Sequence, residues 1–288
     1  MKLAPVFGIG DFNEQVFYVN TLSNHIKQHA FIEKPHKHNF YLVLMITQGH
    51  GTHEIDFTSF TVKPGSVFVI KPGQTHSWQL SKDIDGFIFF HTAELYNLAF
   101  AHKQIQHLPF YQNWQNIPHI HLSKSTTNSF VYVMNRLLQA NKLNNSQYKF
   151  ELIITLMDLF YLDLIPFYQS SSSSNKPQTG LYVQKTEELI ALIDLYYKQI
   201  KSPAVYANML NITPRHLVRI VQQTLAKTVG DLIADRVVLE ARRMLIHPEL
   251  TIKEVAFELG YDDVSYFIRY FKKQTQQTPA EFKKIYSQ

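Results

Sequence analysis

The stretch ELGYDDVSYFIRYFKK, residues 258–273, decides how the C-terminal part of the chain folds. Upstream, Ile252, Val255, Ala256 and Leu259 recur at helical spacing, and Gly260 then supplies the left-handed backbone that a sharp turn requires. A second helix follows at once. There Phe267 and Phe271 fall on one face and Ser265, Tyr266, Arg269, Lys272 and Lys273 on another. The pattern predicts a helix-turn-helix in which the first helix anchors the second, whose outer face enters a major groove of duplex DNA. Arg269 has the fork geometry to read a guanine edge, and Lys272 and Lys273 suit phosphates.

The same grammar occurs about fifty residues earlier, in SPAVYANMLNITPRHLVRIVQQTLAKT. Ala207 and Leu210 face inward on its first helix, Asn211 and Ile212 turn the chain, and the next helix carries Leu217 and Val221 inward. Arg215, His216 and Arg219 are predicted outward. Ser202-Pro203 and Thr213-Pro214 mark helix starts, as do the capping boxes Thr251…Glu254 and Thr278…Glu281. Between the two units, Ile233, Val237, Ala241 and Leu245 form one apolar stripe, predicting a spacer helix.

Here the sequence resembles the AraC/XylS family of bacterial transcription regulators. The family's C-terminal signature is matched by Ala256, Leu259, Gly260, Ser265, Tyr266, Phe267, Arg269, Phe271, Lys272, Lys273, Thr278, Pro279 and Phe282. The resemblance covers residues 186–286 and implies a seven-helix domain that sets two recognition helices into successive major-groove segments. It also implies contact with RNA polymerase and activation. Gln276 stands where the family usually has glycine, and Val221, Gln222 and Ala226 replace its phenylalanine, lysine and glycine, leaving the first unit less basic.

Ahead of this domain, QSSSSSNKPQTG (169–180) loses all apolar periodicity and predicts a flexible linker between it and the rest of the chain. Residues 40–49, 51–62, 65–70, 76–80 and 86–91 read as short strands separated by glycine and proline turns, hence a small antiparallel barrel. Helical spacing returns at 126–143 and 147–165, with Leu138 and Leu156 among the apolar positions. The expected organisation is therefore α+β and multidomain. A cupin-like β-barrel (1–125) is followed by an antiparallel helix pair that serves as a homodimer interface (126–168), the linker (169–180), and an all-α domain with two helix-turn-helix units (181–288).

The barrel segment also resembles the cupin-type sensor half of many AraC-like regulators, which implies a ligand cavity. His36, His38, Tyr41, His76 and Trp78 are the candidate effector contacts, suited to a small organic acid or an aromatic compound. His36, His38 and His76 match histidines of metal-binding cupins, but Tyr41, Leu42 and Val43 stand where those proteins supply a carboxylate, so no metal and no cofactor is assigned.

Composition narrows the function classes. The 288 residues carry 28 Lys+Arg against 23 Asp+Glu, and the excess divides as +2 before residue 181 and +3 after it. Such a balance permits a polyanionic partner. No cysteine is present, which removes thiol nucleophiles, disulfides and thiolate metal sites and fits a cytoplasmic protein. Residues 152–168 are apolar but interrupted by Asp158 and Asp163, and read as a buried helix with no membrane role. Neither G-x-S-x-G nor a glycine-rich phosphate loop occurs, so the chain is not read as an enzyme. The alternatives are a metal-dependent cupin enzyme with a DNA-targeting module, and a constitutive DNA-binding protein whose barrel mediates assembly.

Overall fold

The computed structural model describes residues 6–7, 16–29, 35–100, 103–112, 117–144, 147–172, 180–247 and 249–286. The chain divides into two compact units, one from Pro5 to Ser173 and one containing Ser174–Gln288.

The first unit is built on two antiparallel sheets. Strands β2 (Phe17–Thr21), β4 (Tyr41–Gln48), β7 (Ser66–Ile70), β9 (Asp85–His91) and β10 (His119–His121) form a five-stranded sheet in the order β10-β7-β4-β9-β2. A three-stranded sheet has the order β6-β5-β8, from β5 (Gly51–Ile55), β6 (Thr58–Val62) and β8 (His76–Leu80). Two short strands, β1 (Val6–Phe7) and β3 (Lys37–His38), pair in parallel.

Side chains alternate across β4, and both faces are buried. Leu42, Leu44 and Ile46 point to the barrel interior with Phe68, Ile70, Ile88, Phe90, Ile55 and Trp78. Tyr41, Val43 and Met45 point the other way, into a second core shared with the helices. That double burial explains the unbroken apolar run YLVLMI.

The segment 51–62, read as one strand, is a hairpin. Asp56 (φ 47°) and Phe57 (φ 66°) form a two-residue turn with both backbones left-handed, so β5 and β6 pair from Gly51–Val62 to Ile55–Thr58. No glycine marks the turn. Instead the Asp56 carboxylate accepts from Gln74 Nε2 (2.8 Å) and the Thr75 amide (3.1 Å), tying the turn to the loop before β8.

Helices α1 (Leu22–Gln28) and α2 (Ala93–Ala99) flank the sheets, and α3 (Lys124–Asn141) and α4 (Gln147–Ser172) form the antiparallel pair. The pair is not an appendage. Phe130, Met134, Leu137, Ile153, Leu156, Met157, Phe160 and Leu164 pack against Val43, Val67 and Phe89 as one core. The apolar stretch 152–168 lies within α4, with Asp158 paired to Tyr96 and Lys103. No helix among the described residues is long and apolar enough to cross a membrane. Helix α4 also runs four residues into the segment read as linker, and Gly180 begins the next helix, while 173–179 lie outside the described residues.

The second unit is all helical: α5 (Gly180–Tyr196), α6 (Pro203–Met209), α7 (Pro214–Leu225), α8 (Val229–Leu245), α9 (Ile252–Glu258), α10 (Val264–Thr275) and α11 (Pro279–Tyr286). Both capping boxes close as read, at Thr251/Glu254 and at Thr278/Glu281, and a third forms at Thr228/Asp231. Ser202 makes no side-chain cap, leaving Pro203 alone to start α6. The spacer helix α8 buries Ile233, Val237, Ala241 and Leu245 at its centre.

Candidate DNA-binding face and effector-binding barrel

Helix α10 is capped by Asp263, whose side chain accepts from the Ser265 amide at 2.7 Å. Phe267 and Phe271 are fully buried, which fixes the helix rotation. Ser265, Tyr266, Arg269, Lys272 and Lys273 are all exposed in consequence. The helix ends at Gln276 with φ 62°, its amide donating to the Lys272 carbonyl. This left-handed closure is the reason a glycine suits the position, and Gln276 adopts it regardless.

Helix α7 repeats the plan. Thr213 caps it through the His216 amide, Leu217, Ile220 and Val221 are buried, and Ala226 closes it with φ 53°. Arg215 and Arg219 are exposed as read, and Val218 and Gln222 share the exposed surface. His216 does not belong to the outward group. Its ring lies edge-on to Tyr182 of α5 at 5.8 Å, with Nε2 buried and unpartnered. The angular position between Leu217 and Arg219 turns it toward α5, a neighbour that the helix's own periodicity does not reveal. Arg219 extends over the same Tyr182 ring, 5.9 Å from its centroid.

In the barrel, His36, His38 and His76 come together as read. Their ring centroids lie 4.2 Å (His36–His76), 5.0 Å (His38–His76) and 6.4 Å (His36–His38) apart, with Trp78 at 5.6 Å from His76. The sequence reading missed a fourth member, His53 on β5, whose Nε2 is 3.0 Å from His76 Nδ1. Its signal was the alternation of His53 with the buried Ile55 on the same strand face. Tyr41 is not part of the group: one residue before Leu42 on β4, it faces the helix layer, stacked on His91 at 5.7 Å and edge-on to Tyr111.

The hydrogen bonds fix which imidazole atoms are available. His38 Nδ1 lies 3.0 Å from the Phe40 carbonyl, so Nδ1 carries the proton and Nε2 is a bare lone pair. In the His53–His76 pair one ring donates to the other. Whichever does, the remaining atoms, His53 Nδ1 and His76 Nε2, comprise one N–H and one lone pair. All three remaining nitrogens are buried without a partner. Burial pushes His38 and His53 down to about 3 and His76 well below its ordinary range, so the rings are neutral. Among the described residues no group of three or more His, Asp or Glu is arranged to hold a metal ion. Trp78 also lines an open pocket of about 680 Å³ with Ile26, His50, Leu80, Lys82 and Ile84.

Comparison with known proteins places both units. Residues 17–120 match the family described as AraC-like ligand binding domain, and residues 206–285 match a helix-turn-helix domain family. The uncharacterised regulator YfiF of Bacillus subtilis (strain 168) is 23% identical over 280 residues, covering 96% of this chain and 85% of that protein. The transcriptional activator RhaR of Enterobacter sp. (strain 638) is 21% identical, covering 95% of this chain and 94% of that protein. ToxT of Vibrio cholerae, crystallised with an unsaturated fatty acid, aligns over 94% of this chain and 95% of its own at 14% identity and a TM-score of 0.46. YfiF and RhaR are both transcription regulators of the helix-turn-helix type. The chain thus carries an AraC-like ligand-binding domain ahead of a helix-turn-helix domain, the pairing of an AraC-type DNA-binding transcription regulator.

Proposed function

We propose that the outer faces of α7 and α10 bind duplex DNA, with Arg269 reading a base edge and Lys272 and Lys273 holding phosphates. Arg215 and Arg219 play the corresponding part for the first unit. The observation that supports this is the rotation of α10: the burial of Phe267 and Phe271 leaves Ser265, Tyr266, Arg269, Lys272 and Lys273 together in solvent. Selection of duplexes from a random library with the purified chain tests the reading. Binding is expected to weaken steeply with salt and to converge on two sequence segments; binding without convergence would reduce the face to a phosphate grip.

The barrel is proposed as the effector site, centred on His36, His38, His53 and His76 with Trp78 at its edge. Two bare lone pairs and one N–H favour a neutral ligand rich in hydroxyl or amine donors. A carboxylate would set its own lone pairs against those of neutral imidazoles, so a neutral hydroxylated compound is proposed ahead of an organic acid. Thermal shift against neutral hydroxylated compounds and matched carboxylates distinguishes them. The protein is proposed to act in the cytoplasm as a homodimer and an activator that contacts RNA polymerase, supported by the likeness to RhaR, which is itself an activator.

A further inference from the structure

One cation joins the two helix-turn-helix units. Lys201 lies between α5 and α6, and its ammonium donates to the carbonyls of Tyr197, Lys198 (2.8 Å) and Leu259 (2.9 Å). The first two carbonyls close the C-terminal end of α5. The third is the C-cap of α9, the first helix of the second unit, 58 residues away in sequence. All three ammonium hydrogens are thereby used, and a single positive charge sits where two helices present their negative ends.

The joint is close-fitting from the other side too. Gly260 follows Leu259 with φ 77°, and a Cβ there would lie 2.0 Å from the Lys198 carbonyl oxygen. The Tyr261 ring faces the ammonium at 5.2 Å, and Lys198 pairs with Glu258 at 3.6 Å. The turn that aims α10 is thus seated on the end of α5. Helix α5 is in turn gripped by Arg236 of α8, which binds Asp194 and lies 4.0 Å over the Tyr197 ring.

We propose that Lys201 is a positioning residue that fixes the second helix-turn-helix unit against the first, and so sets the spacing of DNA segments that α7 and α10 read together. The consequence for DNA rests on the function proposed above; the geometric part does not. An apolar side chain at this position leaves three helix-end carbonyls unpaired in a part-buried joint and frees the turn from its seat.

The absence of cysteine makes the test direct. Spin labels on Gln223→Cys and Gln274→Cys, exposed sites on α7 and α10 outside the proposed contacts, report the distance between the two helices in the full chain. A narrow distance distribution is expected in the parent, a broadened or shifted one in Lys201→Met, and recovery in Lys201→Arg. An unchanged distribution in folded Lys201→Met overturns the proposal and assigns the geometry to the packing of α8 alone; a Lys201→Arg as broad as Lys201→Met overturns it equally. Should Lys201→Met not fold, Gly260→Ala opens the same joint from its other side, and an unchanged distance there is decisive against it. On library-selected duplexes, Lys201→Met should bind about tenfold more weakly than the parent yet lose less when one base pair is inserted between the contacted segments. A parent that selects no duplex sinks the DNA reading while the distances still decide the role of Lys201.

Discussion

His53 Nε2 and His76 Nδ1 lie 3.0 Å apart in the interior of the barrel, two buried neutral imidazoles hydrogen-bonded to each other. The arrangement has a direct thermodynamic cost in acid. Burial sets the folded-state pKa of His38 and His53 at about 3, below the ordinary 6.5. Between those values the unfolded chain takes up protons that the folded barrel refuses. Stability from these groups is therefore complete above pH 6.5 and declines as pH falls toward 3. Trp78 lies on β8 and the chain's other tryptophan, Trp114, also precedes the C-terminal unit in the sequence, so urea unfolding followed by tryptophan fluorescence reports on the N-terminal half of the chain. The midpoint should drop steeply from pH 7 to pH 4, and less steeply in His53→Phe; a flat profile would show that the cluster is open to water.

Helices α7 and α10 both end on a side chain in the left-handed region, Ala226 at φ 53° and Gln276 at φ 62°. Neither gains from that backbone, although each closes its helix with the expected amide bond. Replacing either by glycine removes the steric penalty while leaving the bond in place, against an entropic loss in the unfolded chain. A net gain of about 0.5 to 1 kcal/mol is expected for each, read as a rise in the thermal midpoint of the C-terminal unit. A fall in both variants would place the strain elsewhere.

What could be read from the chain beforehand depended on whether a side chain's partner lies on its own element. Phe267 and Arg269 were assigned opposite faces because helical spacing alone separates them, and their burial agrees. The capping box at Thr251 and Glu254 is likewise contained within four residues. His216 was misplaced because its environment is Tyr182, 34 positions away on α5. Tyr41 illustrates a different limit. On a strand buried on both faces every residue is apolar, so alternation leaves no contrast, and only the second sheet and the helix layer tell the two sides apart. The Asp56-Phe57 turn carried no glycine, and its stabilising partners, Gln74 and Thr75, come from a distant loop.

A buried hydroxyl chain ties the sheet to the helix pair. Tyr161 Oη on α4 lies 2.8 Å from His91 Nε2, and His91 Nδ1 lies 2.8 Å from the Thr92 carbonyl. The second contact places the imidazole proton on Nδ1, so Tyr161 is the donor to Nε2. Tyr161→Phe keeps the ring packing and leaves the lone pair of His91 buried without that donor. The expected loss is about 1 to 3 kcal/mol of barrel stability, measured by urea unfolding. A neutral result would mean that Tyr111, whose hydroxyl is 3.4 Å from that of Tyr161, takes over the bond.

The proposed homodimer needs the exposed part of α4. Leu156 is buried in the barrel's own core, so Leu156→Glu should unfold the unit and say nothing about assembly. Leu159 and Leu162 are 43% and 46% exposed on the same helix. Leu159→Glu with Leu162→Glu should halve the mass in sedimentation while the thermal midpoint stays near the parent's. An unchanged mass would remove this face of α4 as the interface.

Arg269 and Lys272 lie three residues apart on the exposed face of α10, and their proposed roles differ in a measurable way. A base-reading arginine contributes to discrimination, so Arg269→Ala should cost about 1 to 3 kcal/mol on the selected duplex and relax the preference at one position. A phosphate-binding lysine contributes to every sequence alike. Lys272→Ala should weaken selected and scrambled duplexes together and lower the slope of log affinity against log salt by about one. Affinities of both variants for both duplexes across a salt series separate the two behaviours. If Arg269→Ala follows the lysine pattern, base reading on α10 shifts to Ser265 and Tyr266, the remaining exposed side chains at its N-terminal end.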